Sequence, residues 1–316
     1  MPQRENAALT FPSAIFGALN ASLAFLVFRR VGFSRVPALL VTIMYSASAA
    51  VWVFASFPDT YACSALLTTI FLWCYLDDQA LQRWKRLSIV HAAACFVGPQ
   101  LCLLGLIPVA SIFKRPDPMR TRRVVYYGAG VFLCYVIPYL VGLAVIGRSQ
   151  VVVGETRWAS LQNFRGLHWY FSIPSTLVAF GLITPSRESV RAVLLLSGLE
   201  QQWSFWVILV SILTYGAAGL ALGRRQLGDQ LGSIRQELLV FLIAYILFFI
   251  WWQPREGFIY TAPVQLPLWL VLHIGWLRQQ ESGAWRSLVG AAAAIVIVSS
   301  LRLLWELRTP AASFFR

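Results

Sequence analysis

Three short stretches hold the residue types best suited to chemistry. FASFPDTYACSALLTTIFLW (54–73) carries Asp59, the single charge between Val36 and Leu76, with Tyr61 two residues on. FFIWWQPREGFIYTAPVQLPLW (248–269) sets Arg255 and Glu256 directly after Trp252-Gln253-Pro254. NFRGLHWYF (163–171) interleaves Arg165 and His168 with Trp169 and Tyr170. A guanidinium is a planar fork that matches a phosphate, and flat rings stack on sugar or isoprenoid. A carboxylate can orient a hydroxyl or hold a divalent cation. Each stretch also has a plainer reading. Pro58-Asp59-Thr60 suits a helix start, where proline is pre-organised and an acid complements the dipole. The tryptophans beside Arg255 suit an interfacial turn.

The chain around these stretches is too apolar to coat a soluble globule. Hydrophobic residues make up 58% and charged ones 12%, whereas soluble domains carry about a quarter charged residues. Apolar runs long enough to cross a bilayer recur along the 316 residues. They are apolar all round, unlike the alternation of a membrane barrel strand. The fold class expected is all-α, a polytopic integral membrane bundle forming a single domain over 1–316. The net charge of +13 is spread in short clusters between runs, so a nucleic-acid partner is not indicated.

Those clusters set a topology. Arg29, Arg30 and Arg35 follow the run at 11–28, and Arg83, Lys85 and Arg86 follow the run at 60–76. Lys114, Arg115, Arg120, Arg122 and Arg123 precede 124–146. Arg224, Arg225 and Arg235 divide 203–222 from 236–252, and Arg278 and Arg286 divide 262–277 from 287–306. Placing all five clusters in the cytoplasm obeys the positive-inside rule and yields about eight crossings with both termini outside. The tract 87–113 is then flanked by cations on both sides, and Gly98-Pro99 breaks it at the centre. It reads as two short helices that enter the membrane and return, with their broken backbone covered by protein. Residues 147–201 form an external amphipathic segment. Asp59, Arg255 and Glu256 fall on the outer face with it.

The remaining polar residues suggest little. The five cysteines lie in apolar runs without a CxxC pair and are expected in the core, with no disulfide framework and no metal site. His91 and His273 are expected as satisfied core residues. The sequon at Asn20 lies in an apolar helix and is expected to be coincidental.

The order NASLAFLVFRRVG (20–32), then VWVFASFPDTY (51–61), resembles polytopic glycosyltransferases of the GT-C class, including the mannosyltransferase-like membrane enzymes. The likeness rests on Asn20, Arg29-Arg30, Asp59 and Tyr61, with His91, Pro99 and the turn after Trp252 resembling later parts. It implies transfer of a sugar from a polyprenyl-phosphate carrier at the non-cytoplasmic face of a plasma or inner membrane. From outer-face position and residue type, Arg255 and Arg165 are expected to stabilise the leaving phosphate, with His168 beside Arg165 in the same stretch. On the same grounds, Asp59 orients substrate or a bound divalent cation, and Trp252, Trp169 and Tyr170 stack on sugar or isoprenoid. The family's catalytic acid sits in a first external loop that has no counterpart here, so the base is unassigned. A second polypeptide supplying the missing N-terminal helices is one expected partner, beside the membrane lipid and the lipid-linked sugar. The competing readings are a transporter or flippase for a lipid-linked or small solute, and a non-catalytic membrane protein.

Overall fold

A computed structural model describes residues 2–48, 51, 55, 60–77, 81–114, 118–146, 161–165, 210, 213–221, 229–252 and 261–308. No strand occurs among them. Helix α1 spans Pro2–Val31, α2 Arg35–Ala47, α3 Tyr61–Tyr75 and α4 Trp84–Val97. After a 3₁₀ stretch at Pro99–Gly105 come α5, Leu106–Lys114, and α6, Pro118–Ile146. The chain ends its described part with α7, Asp229–Trp252, α8, Ala262–Ile274, and α9, Gly283–Arg308.

The turn from α1 to α2 shows how local sequence sets the bundle. Gly32 has φ +114°, in the region open to glycine. Its amide bonds to the Arg29 carbonyl at 3.2 Å, and the Phe33 amide reaches back to Phe28 at 3.1 Å. This pair of bonds is a Schellman closure, which satisfies carbonyls left over at the helix end. Pro37 falls in the first turn of α2, where a missing N–H costs nothing.

Gly98-Pro99 breaks the 87–113 tract as its sequence suggests. Proline pushes the residue before it toward extended backbone, and Gly98 has φ −153° and ψ 108°. The chain then folds back along α4, since the Leu101 carbonyl meets the His91 ring at 3.0 Å. Gly105 permits this close return, because a Cβ there would stand 3.2 Å from the His91 Cε1.

Phe28, Phe33, Tyr45, Phe71, Phe241, Tyr245 and Trp269 are fully buried between helices. Large apolar side chains also cover the outside, with Phe113 81% and Val298 65% exposed. A soluble protein rarely presents so much apolar surface, whereas a lipid-facing bundle must. Residues 10–31, 118–141 and 231–252 are each long and apolar enough to cross a membrane. Only 11% of the best apolar window in 118–141 is buried by other helices, which leaves most of it for lipid. The burial of the cysteines is mixed. Cys74 and Cys95 are buried as expected, but Cys102 is exposed and Cys63 and Cys134 are half-buried. Sequence apolarity cannot separate a core-facing cysteine from a lipid-facing one.

Candidate functional site

The arginine clusters converge on one end of the bundle. Arg30, in the last turn of α1, bonds to the Trp73 carbonyl near the end of α3. Arg86, early in α4, lies over the same Trp73 ring. Trp84 meets Tyr126 of α6, itself bonded to Arg122 at 2.7 Å. Gln280, beyond α8, accepts from the Ser34 amide at 2.7 Å and donates to the Gly32 carbonyl. The clusters at 29–35, 83–86, 120–123 and 278–286 are therefore neighbours. Arg224 and Arg225 lie outside the described residues.

This arrangement fixes the direction of the helices. α1 and α3 both run toward the basic end, and so does α8. Tyr75, the last residue of α3, donates its hydroxyl to Glu237 Oε2 at 2.8 Å, so the start of α7 is at that end too. A helix rises about 1.5 Å per residue, which puts Tyr61 about 21 Å from Tyr75 and Trp252 about 22 Å from Glu237. Tyr61 and Trp252 thus share the end opposite the arginines. Trp252 stacks on Phe248 one turn earlier, with centroids 5.8 Å apart and planes 13° apart, and both Tyr61 and Trp252 are half-buried.

Of the other sequence candidates, Arg165 is exposed at the end of a short 3₁₀ turn, Leu161–Arg165, that packs against α7. Phe164 anchors that turn to the core. Asp59, His168, Trp169, Tyr170, Arg255 and Glu256 lie outside the described residues. The described structure thus brings Tyr61 and Trp252 to one end and packs the turn that ends at exposed Arg165 against α7.

Two buried polar clusters were not anticipated. In the first, Asn20 donates to the Tyr45 hydroxyl at 2.8 Å and accepts from Thr69 at 2.6 Å, joining α1, α2 and α3. Asn20 is 2% exposed, so the sequon is closed to modification. In the second, Glu237 accepts from Tyr75 and also from Ser233 at 2.6 Å, while being 2% exposed. Arg235 is buried two residues away. Glu237 also borders a cavity of about 230 Å³ between α5 and α7, lined otherwise by Gln236 and by apolar side chains such as Leu106, Val109 and Val240. A carboxylate at the edge of an apolar cavity can receive a hydroxyl or amine of an amphipathic molecule. The signal in the sequence was one acid within RQELLVFLIAYILFF, which loop-charge counting treats as a helix terminus.

His91 and His273 behave as core residues. Leu101 O can only accept, so His91 donates from Nε2, and Nδ1 receives the Tyr127 hydroxyl. His273 bonds the Trp269 carbonyl at 2.9 Å and stacks on the Trp269 ring.

No family model matches the chain, and neither curated proteins nor solved structures gave a significant match.

Proposed function

We propose that the chain is a membrane-embedded, GT-C-like protein that takes a polyprenyl-phosphate-linked sugar at the non-cytoplasmic end of its bundle. The observation that carries this is the segregation of ends. Arg30, Arg86, Arg122 and Arg278 gather at one end, while Tyr61 and Trp252 stand at the other. The positive-inside rule makes the first end cytoplasmic. Asp59 directly precedes the segment that opens α3, and Arg255 follows Trp252 by three residues. Both therefore belong in sequence to the end where a lipid-linked donor would sit. On this reading the bundle crosses the membrane about eight times and the broken tract 87–113 is re-entrant. The reaction is displacement at the anomeric carbon: an acceptor hydroxyl forms the new glycosidic bond and releases its proton to solvent, while the bond to the lipid phosphate breaks and the phosphate leaves against Arg255 and Arg165.

The test is binding and transfer with purified chain in liposomes and polyprenyl-phosphosugar donors. Wild type should retain donor, and Arg255→Gln should weaken retention roughly tenfold, as loss of a charge-assisted phosphate contact would. Asp59→Asn should leave retention within about threefold and reduce transfer. Donor retention equal to that of plain polyprenol would sink the reading.

The cavity at Glu237 favours one second reading, a carrier of a lipid or small solute, since a buried carboxylate beside a broken helix pair is a common transporter element. Glu237→Gln should then abolish solute movement across proteoliposomes. Unchanged donor binding with lost movement would favour the carrier.

A further inference from the structure

A densely charged feature outside the proposed donor end is the cluster around Trp73, where α1, α3 and α4 meet. The Arg30 guanidinium lies 4.4 Å from the Trp73 ring centroid and the Arg86 guanidinium 5.0 Å from it. The two like charges are thus within about 10 Å of each other, inside one Debye length at ordinary ionic strength. Both side chains belong to exposed residues. Arg29, Arg83 and Lys85 stand in the same turns of sequence, against Asp77, which pairs with Arg83 at 3.5 Å. A small pocket lined by Trp73, Cys74, Asp77, Arg83, Arg86 and Leu87 opens between the ends of α3 and α4.

Several features distinguish this cluster from scattered positive-inside charge. The indole holds both guanidinium groups by cation–π attraction, so less side-chain freedom is lost when a ligand arrives. One Arg30 nitrogen donates to the Trp73 carbonyl, and a guanidinium carries four further N–H donors. The apolar surroundings then indicate the ligand's other half. Leu26, four residues before Arg30 on the same helix face, is 47% exposed. Ile89, three residues after Arg86, is 60% exposed. α1 runs toward the basic end and α4 away from it, so both apolar side chains lie on the membrane side of the guanidiniums. Cations at the interface with exposed aliphatic side chains one turn deeper match a phosphate head above acyl chains.

We propose that Arg30, Arg86 and Trp73 form a binding site for the phosphate of an anionic membrane lipid in the leaflet at the basic end. The site is independent of the sugar-donor reading, because it uses none of the same residues.

The test uses the full chain in detergent and phosphatidylglycerol labelled on an acyl chain. Arg30→Gln with Arg86→Gln should weaken binding about 25-fold, at about fivefold per arginine near a charged lipid surface. Arg35→Gln with Arg278→Gln removes the same charge from exposed residues at the same end and should weaken binding less than about threefold. If the first double variant does not fold, Arg86→Gln alone leaves the Arg30 bond to Trp73 in place and should cost about fivefold. Equal losses in the two double variants would overturn the site. So would full competition by unlabelled phosphatidylcholine. Displacement by millimolar inorganic phosphate alone would overturn the lipid assignment.

Discussion

The Tyr75 hydroxyl donates to the Glu237 carboxylate at 2.8 Å across 162 residues of sequence, tying the end of α3 to the start of α7. That contact sets the register by which Tyr61 and Trp252 reach the opposite end together. It also makes Glu237 the most consequential buried acid among the described residues.

Removing one partner of this bond should cost more than removing both. Tyr75→Phe strips a donor from a buried charged acceptor, for an expected loss of about 2 kcal/mol. Tyr75→Phe combined with Glu237→Met replaces both partners by apolar groups and should cost about 1 kcal/mol or less. Equilibrium unfolding in mixed micelles of the two single variants and the double variant gives the coupling. Additive losses would show that the bond contributes nothing to stability.

The α1–α2 turn allows a backbone prediction. Gly32→Ala places a Cβ at φ +114°, where an L residue is strained, and should destabilise the chain by about 1–3 kcal/mol. Gly128→Ala, where an added Cβ meets nothing within 4 Å, should be neutral or slightly stabilising because alanine favours helix. Thermal unfolding that ranks the two the other way would contradict the turn described here.

Asn20 should resist glycosylation even where its side of the membrane is exposed to the modifying enzyme. Its amide is bonded on both sides and 2% exposed. Asn20→Leu should orphan the Tyr45 hydroxyl and destabilise by about 1–3 kcal/mol. A glycosidase-sensitive gel shift that Asn20→Gln abolishes would show that the cluster is open.

Much of the bundle could be read in the sequence because its two determinants are local. The apolar runs give the helices, and Gly98-Pro99 gives the break, since a proline acts on its immediate neighbour. Arginines near run ends give the directions, and the contacts of Arg30, Arg86 and Gln280 agree with them. The polar clusters were not legible, because their partners are far apart in sequence. Nothing near Glu237 points to Tyr75, and nothing near Asn20 points to Thr69. Cys102 was misjudged for a related reason. In a membrane protein apolar sequence marks both the core and the lipid face, so only packing assigns a side. Tyr61 and Trp252 could be located at the end opposite the arginines by register, while Asp59 and Arg255 are tied to that end only through their neighbours in sequence.

Photocrosslinking locates where the lipid-linked donor binds. A benzophenone side chain is placed at Tyr61, at Trp252 or, as a control at the basic end, at Trp84, and a radiolabelled polyprenyl-phosphosugar is added to membranes containing the full chain. Label is expected at positions 61 and 252, competed by unlabelled donor, and none at 84. Label confined to position 84, or label at 61 and 252 that plain polyprenol competes equally well, would contradict the sugar-donor reading.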